Sequence, residues 1–260
     1  MAKDPIPVDR LIPRRLPVGR LGVAVVAELV DLIVTGQLQE GDLLPPEGPL
    51  SDLFGVSRTV LRESVKRLEE KGLVTVSPGR GTQVRARGYW NMLDPVVLSA
   101  LIDNDESLGV LDELTIVRAS LESAMAGAVA GAHSAAELRR LENALTTMRE
   151  SESETDSFRQ ADVIFHYAVM EISGNRLAEN IAKQVYKRAV DSSRYQGIDP
   201  PDAVALTLEE HAAIFDAIAR KDVAAAEKAM HDHICGSWER RRLVDAAARP
   251  GERVRGQKKK

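Results

Sequence analysis

Between Gly19 and Val84 three short helical patterns are followed by two β-prone runs around a glycine-bracketed turn, an order that restricts this quarter of the chain more than any other feature. Leu21, Val25, Leu29, Leu32 and Ile33 recur at spacings of three and four, which predicts an amphipathic helix over residues 19–35, stopped by Gly36. After a turn at 40–46, a short helix is expected over 49–54, ending at Gly55. Ser57 stands where an N-cap belongs, and the next helix, 58–71, is expected to bury Val60, Leu61, Val65 and Leu68 and to end at Gly72. Residues 73–76 and 82–84 then flank Ser77, Pro78, Gly79, Arg80 and Gly81, a hairpin with a basic tip. Helix, helix, helix, hairpin is the winged helix-turn-helix order.

In such a unit the first turns of the third helix enter the major groove and must carry side chains that reach base edges. Arg58, Thr59 and Arg62 occupy those turns, and the two arginines, four apart, share a face. An arginine fork matches the O6 and N7 acceptors of guanine, and Thr59 suits a phosphate or a thymine methyl. Lys66 and Arg67 lie farther along and suit phosphates, while Arg80 is placed to follow the wing into the minor groove. Any one of these arginines read alone is a solvated helix face; the ordered set predicts double-stranded DNA as the partner.

The net charge of −4 argues against this only until it is divided. Lys and Arg against Asp and Glu come to roughly +2 over residues 1–88, −11 over 89–248 and +5 over 249–260. Residues 1–17 read as a flexible arm, 18–87 as the DNA-binding domain, 88–95 as a linker, 96–248 as a helical effector-binding and dimerisation domain, and 249–260 as a disordered basic tail. Helical patterns are expected over 95–102, 107–132, 135–150, 157–172, 176–195, 202–220 and 223–248, with no convincing strand among them. The fold class is therefore mainly α, an N-terminal winged helix-turn-helix with a C-terminal bundle of six to seven helices. One cysteine, Cys235, excludes an internal disulfide, and no apolar run of about 18 residues exists to cross a bilayer, so a cytoplasmic chain without a membrane is expected.

Asp162 and His166 are four apart on one helix and project from one face, which allows both to bind a single ion; His211 and His233 sit on two other helices and are placed to complete it. One carboxylate and three imidazoles suit Zn, Ni, Mn or Fe, one per chain, better than Ca or Mg. Arg118 is either a buried anchor for an anionic effector or a helix-surface ion pair with Glu122, and Asn175 either lines a cavity or caps the next helix.

The segments at 41–47 (GDLLPPE), 55–63 (GVSRTVLRE) and 68–84 resemble the GntR-type winged helix-turn-helix. The resemblance implies that Ser57, Arg58, Thr59 and Arg62 contact an operator, with Gly79 close to it at the wing tip. Gly48 and Pro49 depart from the basic or polar residue that commonly follows the family's glutamate, so a usual contact is missing there. Farther on, YWNMLDPVVL at 89–98, VRASLE at 117–122, SGN at 173–175 and the segments around the three histidines resemble the FadR-type subgroup with a helical FCD effector domain. Asp162, His166, His211 and His233 match that subgroup's metal ligands, whereas His133 and His231 do not. The segment WNMLDP is similar to regulators of sugar-acid use such as galactonate-operon repressors, which implies a small carboxylate or sugar acid as effector.

The expected function is a homodimeric DNA-binding regulator, most simply a repressor, since a symmetric dimer reads two half-sites. The competing reading is a metal-dependent enzyme acting on a small carboxylate, with the Asp and His cluster activating water. No separate general base, nucleophile motif or phosphate-cradling loop accompanies the cluster.

Overall fold

The computed structural model describes residues 21–192 and 202–248. The expected arm at 1–17, the helix end near Tyr195 and the tail at 249–260 lie outside the described residues. The chain divides into two compact units, Met1–Glu106 and Ser107–Lys260.

The first unit begins with α1 (Leu21–Val34), α2 (Glu47–Phe54) and α3 (Arg58–Glu70), followed by β1 (Val74–Ser77) and β2 (Gly81–Val84). Val25, Leu29, Leu32 and Ile33 of α1 are buried, the stripe its periodicity implies. On α3 the buried face is Leu61, Ser64 and Leu68, with Val60 and Val65 half-buried. Ser64 was not expected there. Its hydroxyl donates to the carbonyl of Val60 at 2.9 Å and lies 3.3 Å from that of Gly22, so α1 packs closely over a satisfied polar group.

The strands pair antiparallel with Val74 opposite Val84 and Ser77 opposite Gly81. The stretch read as a turn also joins this ladder: Leu44 N–H donates to Thr82 O at 2.8 Å and Val84 N–H to Asp42 O at 2.9 Å. Gly72 follows α3 at φ +75°, and a Cβ there would overlap the carbonyl oxygen of Tyr89, so two separate constraints call for glycine. The segment expected to be a linker is anchored, with Asn91 N–H on Lys71 O at 2.9 Å and Trp90 Nε1 on Arg85 O at 3.1 Å. It leads into α4 (Pro95–Asp103), capped by Asp94. The sequence pattern places α4 at the opening of the helical domain, from residue 96. It packs instead on α1, because its buried residues Val97, Leu98, Leu101 and Ile102 supply an apolar face that α1 covers, and the first unit ends at Glu106.

The second unit is all α: α5 (Gly109–Gly131), α6 (Ala135–Glu150), α7 (Thr155–Ile172), α8 (Arg176–Asp191), α9 (Ala203–Ala219) and α10 (Val223–Ala248). α5 and α10 pack along each other, α6 lies on α7 and α9, and α8 lies on α5 and α7. Phe165, Val129, Leu141, Leu145, Met148, Ile214 and Met230 are almost fully buried between them. At about 1.5–3 kcal/mol for each large side chain removed from water, this core is a stiff scaffold for polar groups set into it. The protein is thus mainly α, with a winged helix-turn-helix at the N-terminus and an all-α bundle after it.

Candidate functional site

On the first unit the exposed side chains converge where α3 begins. Ser57 Oγ accepts the N–H of Val60 at 3.3 Å and so starts the helix. Arg58, Thr59, Arg62 and Lys66 are exposed on the turns that follow. Arg62 Nε donates to both carboxylate oxygens of Glu47, at 2.9 and 2.8 Å. A Cβ on Gly48 would lie 3.5 Å from Nη2 of Arg58, so the missing side chain next to Glu47 leaves room that the Arg58 guanidinium borders. At the wing, Pro78 and Gly79 occupy the centre of a turn closed by Arg80 N–H on Ser77 O at 3.0 Å, and Gly79 takes φ +73°, as the third position of a type II turn requires. Arg80 is exposed beside it.

In the second unit α7, α9 and α10 bring Asp162, His166, His211 and His233 together, with one ligand atom from each lying within 4.8 Å of the others. Each imidazole is held through Nδ1. His166 donates to Glu122 Oε2 at 2.6 Å, His211 to the carbonyl of Thr207 at 2.8 Å, and His233 to Glu210 Oε2 at 2.8 Å. With the proton on Nδ1, every Nε2 presents a lone pair to the centre. Nε2 of His166 and Nε2 of His233 are 3.2 Å apart, and Nε2 of His211, fully buried, lies 3.2 Å from Asp162 Oδ1 without the alignment of a hydrogen bond. Two facing lone pairs and an orphaned buried nitrogen are costly unless a cation sits among them. The donor set therefore fits a metal ion. Tyr186 OH donates to the other oxygen of Asp162 at 2.7 Å and fixes that ligand too.

The surroundings keep His233 in its binding form and its supporting carboxylates ionised. Burial, reinforced by the neighbouring His211, pushes His233 down to about 3, so the ring is neutral at ordinary pH. Burial raises the Glu122 carboxyl, but Arg118 and His166 outweigh it and bring it to about 2. Glu210 is likewise lowered, burial being offset by its bonds to His233 and to Arg240, which meets it with two N–H groups at 2.8 and 2.9 Å.

The cluster opens onto a cavity of ≈ 70 Å³, room for several waters or part of a small ligand. Asp162, His166 and His233 line it together with three arginines, Arg118, Arg159 and Arg241; His211 sits behind them. Arg118 matches the ion-pair reading in its partner but not in its place. It pairs with Glu122 at 2.8 Å, yet the pair is buried rather than on the surface, and its guanidinium lies 4.1 Å from the Tyr186 ring centroid beside the cavity. Asn175 does not line the cavity. Its Oδ1 accepts Ala178 N–H at 3.1 Å and caps α8, and the residue is exposed, so its effector-binding role gives way to the capping one. His133 bonds the carbonyl of Val129 and His231 is exposed, both away from the cluster.

Sequence reasoning missed Glu122, Glu210 and Tyr186 as supports, and Arg159 and Arg241 as cavity residues. Glu210 sits next to His211 in sequence yet serves His233 on another helix, a relation with no local signal. Arg159 and Asp162 are three apart on α7, which was a usable hint.

Among the described residues no helix is long and apolar enough to cross a membrane. The gntR family of bacterial regulatory proteins matches residues 21–84, and the FCD domain matches residues 113–235. The galactonate operon transcriptional repressor of Escherichia coli (strain K12) is 33% identical over 218 residues, 83% of this chain and 94% of that protein. The HTH-type transcriptional regulator LutR of Bacillus subtilis (strain 168) is 28% identical over 207 residues, 78% of this chain and 93% of that one. A solved structure described as Lar, which controls expression of the Listeria monocytogenes agr system, shares the fold with a TM-score of 0.57 at 17% identity, covering 88% of this chain and 100% of its own. The chain therefore belongs to the GntR family of bacterial regulatory proteins, with an FCD domain behind its winged helix-turn-helix, and is a DNA-binding transcriptional regulator under small-molecule control rather than an enzyme.

Proposed function

We propose that this regulator is a homodimeric repressor of the FadR-type subgroup, released from its operator by a small carboxylate or sugar acid bound beside a divalent transition metal. The observation that carries this reading is the pairing of the Asp162, His166, His211 and His233 cluster with three arginines around one cavity. Zn, Ni, Mn or Fe suits the donor set, and when bound it would supply a Lewis-acid centre for a carboxylate. Arg118, Arg159 and Arg241 offer forked donors to the rest of an anionic ligand, and Tyr186 holds Asp162 in place. The resemblance to a galactonate operon repressor favours an aldonate.

On DNA, Arg58 and Arg62 read base edges, Ser57, Thr59 and Lys66 meet the backbone, and Gly79 and Arg80 bring the wing to the minor groove. Ile116 and Val117 on α5 and Leu177 on α8 are exposed apolar side chains suited to the dimer contact. An effector acts by its different affinity for DNA-bound and free protein.

Calorimetry on metal-stripped protein tests the site. One ion per chain should bind, and metal-loaded protein should then take up aldonates or other small carboxylates. Wild-type protein that takes up no ion, or a His211→Ala variant that takes it up equally well, contradicts the reading.

A further inference from the structure

Glu47 is a carboxylate on a surface that must approach a polyanion, where an unneeded negative charge weakens binding. Its place at the first residue of α2 gives it a favourable helix terminus, which accounts for an acid there but not for its aim. Both of its oxygens accept from the same nitrogen, Nε of Arg62, across 15 residues of sequence. A guanidinium has five N–H donors in a fixed plane. Engaging Nε consumes the side edge and leaves the two terminal amino groups as the fork that can match guanine O6 and N7.

We propose that Glu47 is a positioning residue for base reading by Arg62, and hence a determinant of operator specificity. This rests on the assignment of Arg62 to the DNA-reading face. In free protein the pair is exposed, at 67% and 47% of the two side chains, so it contributes little to folding. On DNA it loses that water, and its effect is to hold a long side chain in one of its many rotamers before the base arrives, which lowers the ordering cost of recognition. Arg58, whose guanidinium borders Gly48, stands outside this pair and reads its base independently.

The test is selection of binding sites from a random duplex DNA pool by the full-length wild type and by the Arg62→Ala, Arg58→Ala, Glu47→Ala and Glu47→Gln variants, with thermal unfolding of each. Arg62→Ala should erase a guanine preference at one position of each half-site. Both Glu47 variants should weaken the preference at that same position about tenfold, leave the position governed by Arg58 intact, and bind unselected DNA as tightly as wild type or tighter. Glu47 variants that keep the full preference at the Arg62 position would overturn the inference while leaving Arg62 a reader. An Arg62→Ala variant that loses no position would remove the reading on which it rests. Loss of preference at every position together with a lowered melting temperature would show a structural role for Glu47 and would equally overturn it.

Discussion

Lys71 Nζ lies 2.5 Å from Asp94 Oδ2, while Oδ1 of the same carboxylate accepts the N–H groups of Val96 and Val97 at 2.9 and 3.3 Å. One side chain thereby ties the end of α3, the helix proposed to face DNA, to the start of α4. Both partners are mostly buried, so the pair is less screened than a surface bridge. Asp94→Ala removes cap and pair together and should cost about 2 kcal/mol or more, whereas Asp94→Asn keeps a capping oxygen and should cost roughly half as much. Urea unfolding of both variants decides this; an Asp94→Asn variant as stable as wild type would mean that the ion pair contributes nothing, and equal losses in the two variants would mean that the cap contributes nothing.

Gly72 and Gly36 share a left-handed backbone, at φ +75° and +74°, but differ in surroundings. Nothing lies near a Cβ at Gly36, so Gly36→Ala should cost only the conformational penalty of about 1–2 kcal/mol. Gly72→Ala must also displace the backbone at Tyr89 and should cost several kcal/mol. Similar melting temperatures for the two variants would contradict the close approach.

The two carboxylates that hold the histidines should behave differently when removed. Glu122→Ala removes the buried carboxylate that Arg118 and His166 share and should destabilise the protein by about 3–5 kcal/mol. Glu210 is partly exposed, and Glu210→Ala should lower metal affinity by about 10–100-fold with a much smaller stability loss. Metal titration alongside chemical unfolding separates the two effects, and an unchanged metal affinity in Glu210→Ala would remove its supporting role.

Lys66 offers a point charge and no base-matching fork. Lys66→Ala should weaken binding to all DNA sequences alike and flatten the dependence of log affinity on log salt by about 0.9, for one phosphate contact. Fluorescence anisotropy at several salt concentrations reads this slope, and a sequence-selective loss would reassign Lys66 to base reading.

The features legible in the sequence were those set by short-range spacing. The α3 cap at Ser57, the turn at Pro78 and Gly79, and the Asp162 to His166 step all follow from distances of two to four residues. What was illegible depends on packing between distant segments. Ser64 faces inward because α1 packs over it, with the carbonyl of Gly22 3.3 Å from its hydroxyl. Residues 41–44 join the hairpin because β2 offers an open edge, a partner that no local pattern names. α4 carries an apolar face that reads the same whether α1 or the later helices cover it. Arg118 shows the limit most clearly: its ion pair with Glu122 was visible at a spacing of four, and its burial over Tyr186 was not.

The most direct test of the central claim is a titration of metal-loaded, full-length protein against a labelled fragment from upstream of its own gene and against unrelated DNA, at about physiological salt, with and without an aldonate. Preference for the upstream fragment by roughly a thousandfold, weakened by the aldonate in wild type but not in His211→Ala, is the predicted result. Equal, salt-sensitive binding to both DNAs that no small carboxylate alters would contradict it.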